Sequence, residues 1–188
     1  MLQELRELAN RCMAGDQAAM VDLVERYRAR VFGLCYRMLN HRQDAEDMVQ
    51  ETFVRVLKSL RHWQQHRPFE PWLLAIAGNR CRTLLAARGR RPTMSPLVEH
   101  LPDERPSSQP GDELMEEVWL VLLQLRKEYR QSFLLFHEQQ LSYAEISAAM
   151  DCPIGTAKTW VHRARRDLAK GLRSRRVIEE STNAVRRV

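Results

Sequence analysis

Residues 141–172 read LSYAEISAAMDCPIGTAKTWVHRARRDLAKGL, and this stretch determines the fold of the second half of the chain. Ser142 followed three residues later by Glu145 has the pattern of a capping box, which predicts the start of a short helix. A tight turn is predicted at residues 151–153, because Pro153 suits the first turn of a following helix. Beyond the turn, apolar residues recur at three- and four-residue steps: Ile154, Ala157, Val161, Ala164 and Leu168. The stretch therefore predicts a helix-turn-helix.

The second helix of this motif carries hydroxyl and basic side chains on the face opposite its apolar stripe. The set consists of Thr156, Thr159, His162, Arg163 and Arg166, with Lys158 at its edge. Short hydroxyls near a helix N-terminus, with cations behind them, suit a helix that enters the major groove of DNA. The alternative is a solvated basic face, which is usual for an isolated run of charges. The capped helix and the tight turn that precede this face favour DNA binding.

The composition is that of a basic protein, with 188 residues, a net charge of +6 and a pI of about 9.5. This basic excess indicates a polyanionic partner, although charge alone does not separate nucleic acid from anionic lipid. No apolar run approaches the ~20 residues that span a bilayer, and the N-terminal stretch MLQELRELAN does not resemble a signal peptide. The cysteines are scattered without a CxxC pair, which is typical of free thiols in a reducing compartment. We expect a cytoplasmic protein that does not itself insert into a membrane.

Helical spacing recurs almost everywhere in the chain, and no segment shows the alternation of an amphipathic strand. The chain is therefore predicted to be all-α. Residues 89–112 interrupt the pattern with polar residues and with five prolines, which exclude regular helix. We expect two small helical domains, at residues 1–90 and 112–173, joined by a flexible linker at residues 91–111. The basic tail at residues 174–188 is expected to be disordered.

The first half of the chain contains a dense acidic cluster in the stretch RQDAEDMVQETF, residues 42–53. On a helix, Asp44, Asp47 and Glu51 lie together, opposite an apolar stripe. Asp44 has the properties of an N-cap, and Glu51 can pair with a basic residue one turn later. These structural roles leave Gln50, which lies beside Glu51, without an explanation. A metal site would need further ligands that converge from elsewhere.

No pattern in the chain predicts catalysis. The segment HEQQL at residues 137–141 comes nearest to a zinc-protease motif, but Leu141 stands where the second histidine is required. Neither a Ser–His–Asp or Cys–His arrangement nor a phosphate-binding glycine loop is recognisable. We therefore expect no catalytic residue, no metal and no cofactor, and a binding protein rather than an enzyme.

Three motifs taken together resemble a known family. DAEDMVQETF at residues 44–53 is similar to region 2.2 of bacterial RNA polymerase sigma factors of the extracytoplasmic-function (ECF) type. PWLLAIAGN at residues 71–79 is similar to their region 2.3–2.4 helix, and the helix-turn-helix stretch is similar to their region 4.2. The resemblance extends from about Asp16 to Leu172, with the motifs in the family's order on the two sides of the linker.

The resemblance implies an alternative sigma factor, which binds core RNA polymerase, recognises the –10 and –35 promoter elements and promotes DNA melting. It places Asp47, Gln50 and Glu51 against the clamp helices of the largest polymerase subunit, within a region 2 domain at residues 1–90. The loop RHWQQHRPFE and the helix after it would contact the –10 element through Trp63, His66, Arg67, Phe69, Asn79, Arg82, Thr83 and Arg88. The region 4 domain at residues 112–173 would contact the –35 element through Thr156, Lys158, Thr159, His162, Arg163 and Arg166. An anti-sigma factor is a further expected partner.

The chain also departs from the family pattern. Thr83 stands where an Asp is usual, Arg126 stands where a Pro commonly follows Leu, and Trp160 occupies a place often held by Arg. These differences concern the promoter sequence rather than the function. One alternative function is a helix-turn-helix regulator that acts on duplex DNA without polymerase, but it leaves the acidic cluster without a role. A metal-dependent nucleic-acid enzyme is another, but the convergent ligands that it needs are missing from the sequence.

Overall fold

The computed structural model describes residues 2–88 and 110–175, and all the regular structure in these ranges is helical. The first lobe, residues 2–88, contains α1 (Leu2–Met13), α2 (Gln17–Leu39), α3 (Arg42–Ser59), a short 3-10 turn (Leu60–His62) and α4 (Phe69–Arg88). The second lobe, residues 110–175, contains α5 (Pro110–Gln124), α6 (Lys127–His137), α7 (Tyr143–Met150) and α8 (Ile154–Ser174). The prediction of an all-α chain is confirmed. None of the described helices combines the length and the hydropathy that crossing a bilayer requires.

The predicted linker, residues 91–111, is shorter at its C-terminal end than the sequence suggested. The backbone is already helical at Pro110, because proline is tolerated at the first position of a helix, where its missing N–H has no partner to lose. The rest of the linker lies outside the described residues, and so does the tail beyond Arg175. Ser174, which was assigned to the tail, is the last residue of α8.

The junction between α2 and α3 is fixed by Asn40 and His41. Asn40 adopts a left-handed conformation (φ 52°) and donates its N–H to the carbonyl of Tyr36 at 2.7 Å, which ends α2. His41 is the N-cap of α3, and its Nδ1 accepts a hydrogen bond from the Asp44 N–H at 3.2 Å. The prediction that Asp44 caps this helix is therefore wrong, because an imidazole nitrogen does so. Asp44 instead meets the guanidinium of Arg88 from α4 at 2.6 Å.

The core of the first lobe forms where α2 packs against α3 and α4. The stripe predicted on α3 is buried along its length, at Ala45, Val49, Thr52, Phe53, Val56 and, in the following turn, Leu60. Because this stripe faces the core, the opposite side of α3 faces solvent and carries the acidic cluster. Packing of the apolar stripe thus leaves the acidic residues of α3 on an exposed surface.

The helix-turn-helix of the second lobe is formed by α7 and α8, as predicted. The capping box is present: the Glu145 carboxylate accepts from the Ser142 N–H at 2.8 Å, and the Ser142 hydroxyl accepts from the Glu145 N–H at 3.3 Å. Asp151 is left-handed (φ 49°) and Pro153 is the N-cap of α8. Ala157, Val161, Ala164 and Leu168 are buried as predicted. Ile154 is exposed, because it is the first residue of α8 and lies ahead of the turns that pack.

The two lobes pack against each other, and one hydrophobic core extends from α1 to the first half of α8. Within this core α4 contacts α7 and α6, and α2 contacts α6. A Cβ on Gly78 of α4 would overlap the end of the Gln131 side chain from α6, so a larger residue at this position would displace that side chain. A smaller cluster joins α5 to the C-terminal half of α8, through Val121, Leu122, Leu168 and Leu172.

Arg130, near the start of α6, links the two lobes. Its guanidinium donates to the carbonyl of Met38 at 2.6 Å, at the end of α2, and to the carbonyls of Leu122 (3.0 Å) and Leu123, at the end of α5. A cation beside the C-termini of two helices is favourable, since their carbonyls carry partial negative charge. The residue is only 7% exposed, and this burial lowers the pKa of the Arg130 guanidinium to about 10. A second contact between the lobes joins Trp119 Nε1 to the side-chain oxygen of Asn40 at 3.0 Å.

Candidate functional site

The acidic surface of α3 brings together the residues predicted to face polymerase. Asp47 and Gln50 are exposed, and Glu51 is half-buried beside them. The Glu51 carboxylate forms ion pairs with Arg55, at 3.6 Å, and with Arg80 of α4. Asp47 accepts a 3.4 Å hydrogen bond from Gln43. The surface therefore presents a carboxylate, an amide and a charge-paired carboxylate within two turns of one helix.

A groove of about 690 Å³ runs between α3 and α4 beside this surface. Its lining includes Glu51 and the exposed apolar side chain of Val54 on one wall, with Asn79 and Thr83 on the other. One residue predicted to contact polymerase and two predicted to contact the –10 element thus lie on the same groove. No local pattern predicts this proximity, since the two sets are about thirty residues apart along the chain.

The loop between α3 and α4 differs from the prediction in its aromatic residues. Trp63 and Phe69 are 4% and 2% exposed, and their rings pack edge to face with centroids 5.1 Å apart. Phe69 also packs on Tyr27 of α2, with ring centroids 5.2 Å apart. The structure does not present Trp63 and Phe69 as the direct –10 contacts that were expected, because both rings belong to the core. They hold the ends of a loop on which His66 and Arg67 are exposed.

On α4, the residues assigned to the –10 element are already bonded to one another or to neighbours. The side-chain oxygen of Asn79 accepts from Arg82, and the Thr83 hydroxyl donates to the Asn79 carbonyl at 2.9 Å. Arg88 is engaged by Asp44, as described above. A second groove, of about 400 Å³, lies between this part of α4 and the first turn of α6, where Lys127 and Glu128 line it. The predicted –10 residues of α4 therefore lie at the junction of the two lobes.

The residues assigned to the –35 element share one face of α8. Lys158, Thr159, His162, Arg163 and Arg166 are exposed, and Thr156 is half-buried at the N-terminal end. The Thr159 hydroxyl donates to the Gly155 carbonyl at 2.7 Å, within the helix. This face is basic and continuous over three turns, as a helix that contacts DNA requires.

Two further residues, which the sequence did not assign, contact this basic face. The Tyr129 hydroxyl, from the start of α6, accepts a hydrogen bond from Nη1 of Arg163 at 3.1 Å. This contact lowers the pKa of Tyr129 and raises the pKa of Arg163. Arg126, just before α6, lies over the Tyr129 ring with its guanidinium carbon 5.8 Å from the ring centroid. No local pattern could have joined residues so far apart along the chain.

Metal-ligating side chains do not cluster in residues 2–88 or 110–175: no three His, Cys, Asp or Glu side chains converge there. The four cysteines are free thiols, three of them buried and Cys152 partly exposed.

Comparison with known proteins identifies both lobes. The family model described as Sigma-70 region 2 matches residues 23–91, and the model described as Sigma-70, region 4 matches residues 115–168. The chain is 31% identical over 179 residues to the RNA polymerase sigma-H factor of Pseudomonas aeruginosa, covering 89% of this chain and 93% of that protein. It is 34% identical to the ECF RNA polymerase sigma factor SigW of Bacillus subtilis, covering 85% of this chain and 91% of that protein.

Solved structures show the same fold. CnrH in complex with the cytosolic domain of CnrY superposes with a TM-score of 0.67 at 25% identity, covering 90% of this chain and 97% of that chain. The sigma factor RpoE from Bartonella quintana, in complex with the anti-sigma factor NepR, superposes with a TM-score of 0.63 at 20% identity, covering 81% of this chain and 95% of that chain.

Proposed function

The chain belongs to the ECF-type RNA polymerase sigma factors, and from this premise we propose that it binds core RNA polymerase and directs it to promoters. It is an alternative sigma factor: it recognises the –10 and –35 elements and promotes DNA melting for transcription initiation. The observation that carries this proposal is the pair of exposed surfaces, one acidic on α3 and one basic on α8, in a chain of net charge +6. A duplex-DNA regulator would use the basic surface alone.

The acidic surface of α3 is the proposed docking site for polymerase, through Asp47, Gln50 and Glu51 against the clamp helices of the largest subunit. Val54 supports this assignment, since an exposed apolar side chain beside polar ones is typical of the core of a protein interface. The exposed carboxylate of Asp47 would steer the encounter with a basic partner and so increase the association rate. Glu51 is less available, because Arg55 and Arg80 already neutralise it.

The –10 element is assigned to the exposed part of the loop and to the groove-lining part of α4. His66 and Arg67 are the proposed contacts on the loop, with Trp63 and Phe69 as the packed base that holds it. Asn79, Arg82 and Thr83 offer amide, guanidinium and hydroxyl groups on one side of α4, which suits hydrogen bonding to an unpaired base. Arg88 is the proposed phosphate contact at the end of that helix.

The –35 element is assigned to the basic face of α8. Thr156 and the N-terminal amides of the helix can meet phosphate, whereas Arg163 and Arg166 have the length to reach guanine edges in the major groove. Lys158, Thr159 and His162 complete the contact surface. The proposed domain boundaries follow these roles, with region 2 at residues 1–90 and region 4 at residues 112–173.

Promoter binding requires the lobes to separate. The two elements lie roughly 25 base pairs apart, or about 85 Å at 3.4 Å per base pair, whereas α4 and α7 are in contact. The 21 residues between α4 and α5 can extend over at most about 70 Å. This maximum reach is most of the distance between the elements, so a linker of this length allows the lobes to separate widely.

An anti-sigma factor is the proposed regulatory partner, since the sigma factor RpoE, which has the same fold, was solved with the anti-sigma factor NepR, and CnrH was solved with the cytosolic domain of CnrY. A cytoplasmic location, with sequestration at the membrane through such a partner, belongs to the same proposal. No catalytic step is assigned to the chain, and ATP, metal and cofactor have no part in the proposed role.

The test is run-off transcription with purified bacterial core polymerase on genomic promoter fragments, with and without the protein. The proposal predicts discrete new transcripts that require the protein, and their start sites give the –35 and –10 sequences by alignment. If no transcripts appear and core polymerase does not bind, while duplex DNA is bound tightly, the protein is a helix-turn-helix regulator instead.

A further inference from the structure

Three side chains meet beside the basic face of α8, where the start of α6 approaches it. Tyr129 is only 6% exposed, so its ring is held by the surrounding packing. Its hydroxyl accepts from Arg163 on one side, at 3.1 Å, and Arg126 lies over its ring on the other. Arg126 is exposed and makes no capping hydrogen bond to α6, so its guanidinium is not used by the helix that it precedes.

The charges of this cluster favour a bound anion. Arg163 donates to the Tyr129 hydroxyl at 3.1 Å, and the guanidinium carbon of Arg126 lies 5.8 Å from the centroid of the same ring. Two like charges held around one phenol repel each other, and a bound anion relieves that repulsion. Asp167, which also acts on Arg163, is ion-paired with Arg166 at 3.2 Å, so one carboxylate is shared by two arginines.

We propose that Arg126 is a phosphate contact for duplex DNA beside Arg163, which extends the –35 interface from α8 to the start of α6. Arg126 is the new DNA contact, and Tyr129 is a positioning residue that orients Arg163. The inference rests on the proposed –35 role of α8.

The geometry also explains why Tyr129 would orient Arg163 rather than contact DNA itself. Its ring is buried, so its hydroxyl can meet only groups that reach down to it, as Arg163 does. Arg163 lies on an exposed helix face and would otherwise sample many rotamers. A hydrogen bond to a rigid phenol reduces this freedom before DNA arrives, and less conformational entropy is then lost on binding.

The experiment measures binding of the holoenzyme, the full chain with core polymerase, to two duplexes. One duplex carries the –35 element found by run-off transcription and stops short of the –10 element, and the other has the –35 bases scrambled. Affinity is measured over a range of salt concentrations for the wild type, Arg126→Ala, Arg126→Lys and Tyr129→Phe. Arg28→Ala is the matched control, because it removes the same charge from an exposed position on α2.

Arg126→Ala is expected to weaken binding to both duplexes alike and to reduce the slope of log affinity against log salt by about 1, as the loss of one phosphate contact does. Arg126→Lys should restore the slope, because lysine keeps the charge. Tyr129→Phe keeps the ring but removes the acceptor, so the preference for the –35 duplex should fall while the salt slope stays at the wild-type value.

An Arg126→Ala holoenzyme that matches the Arg28→Ala control in affinity and slope would overturn the site. An unchanged preference for the –35 duplex in Tyr129→Phe would overturn the positioning role. If the wild-type holoenzyme does not prefer the –35 duplex, the proposed function has failed rather than this inference. Thermal unfolding of each variant confirms that the compared proteins are folded.

Discussion

The two helices assigned to DNA, α4 in the first lobe and α8 in the second, present their proposed contact residues in opposite ways. On α8 these residues form an exposed basic face, whereas Asn79 and Arg82 of α4 are half-buried beside the first turn of α6. The surface of the second lobe is therefore accessible to duplex DNA in this arrangement. The α4 surface is partly covered by the second lobe and becomes fully accessible when that lobe moves away. In the closed arrangement, therefore, one DNA-contacting surface of the chain is exposed and the other is partly covered.

The contact between the lobes is tight but incompletely bonded. Gln131 is fully buried against Gly78, and neither its amide nitrogen nor its amide oxygen has a hydrogen-bond partner in the described residues. A buried unsatisfied polar group costs about 1–3 kcal/mol. Separation of the lobes would return this amide to water, and that gain partly offsets the loss of apolar contact. The interface is thus suited to opening.

The largest expected effect comes from removing the guanidinium that joins the lobes. Arg130→Met leaves the buried carbonyls of Met38 and Leu122 without their donor, so we expect the free energy of unfolding to fall by about 2–4 kcal/mol. The closed arrangement should also loosen and make α4 more accessible. Urea unfolding measures the first effect and small-angle scattering the second. Arg173→Ala, an exposed arginine on α8, is the control, and equal stability of the two variants would contradict the role of Arg130.

The next largest effects distinguish the two DNA-contacting surfaces, through one substitution on α8 and one on α4. Arg163→Ala should weaken discrimination of the –35 element by about 1–3 kcal/mol if its guanidinium contacts a base edge. Because the α8 face is exposed, the loss should appear with the free chain as well as with the holoenzyme. Asn79→Ala should affect promoter opening only in the holoenzyme, in which the lobes are apart.

These two variants are compared by filter binding on duplex DNA and by permanganate footprinting of the opened promoter. Equal loss on every duplex would show that Arg163 touches only phosphate. An effect of Asn79→Ala on duplex binding by the free chain would show that the α4 face is open in the closed arrangement.

A smaller effect is expected at the acidic surface of α3, which serves polymerase rather than DNA. Asp47→Ala combined with Gln50→Ala should weaken binding to core polymerase about tenfold, or 1.4 kcal/mol, mostly through slower association. Both side chains are exposed, so the fold and the two DNA-contacting surfaces should be unaffected. Surface plasmon resonance on immobilised core polymerase gives the rates. Core affinity equal to that of the wild type would remove these residues from the interface.

The smallest expected change in stability concerns Gly78, where the two lobes approach closely. Gly78→Ala gains helix propensity of about 1 kcal/mol but forces Gln131 to move, so the net change in stability should be small. Gln131→Ala removes the obstacle, and the double variant should be more stable than the sum of the single changes predicts. A double-mutant cycle of unfolding free energies measures this coupling. Strict additivity would mean that the two residues are not in contact in solution.

Local patterns predicted the parts of the molecule whose causes are local. The capping box at Ser142 and Glu145 and the apolar stripe of α8 depend on residues within a few positions of one another, and both are confirmed. Burial of Trp63 and Phe69 was not predictable in this way, because it depends on packing against α2 and α4. The local sequence around these two residues would read the same whether the loop were buried or exposed.

The proposed sites likewise include parts that follow from local sequence and parts that depend on the tertiary fold. The acidic and basic surfaces follow from helical periodicity, which needs only the sequence of one helix. The contacts of Arg163 with Tyr129 and of Arg130 with Met38 join residues 34 and 92 positions apart. Only the tertiary fold brings such residues together. The prediction that Asp44 is the N-cap of α3 was wrong for a smaller reason, because the helix begins at Arg42, ahead of Asp44, and His41 caps it.

Arg130 also has a consequence for how the protein can change in evolution. Its guanidinium holds the end of α5 within the second lobe and the end of α2 in the first, so any substitution there alters folding and closure together. Selection on the equilibrium between closed and open arrangements therefore acts on residues that contribute to the contact between the lobes and not to the folding of either lobe. Trp119, which donates to Asn40, and Gln131, which packs against Gly78, meet that description. Related chains that differ in how readily they open are expected to vary at Trp119 and Gln131 while keeping the arginine.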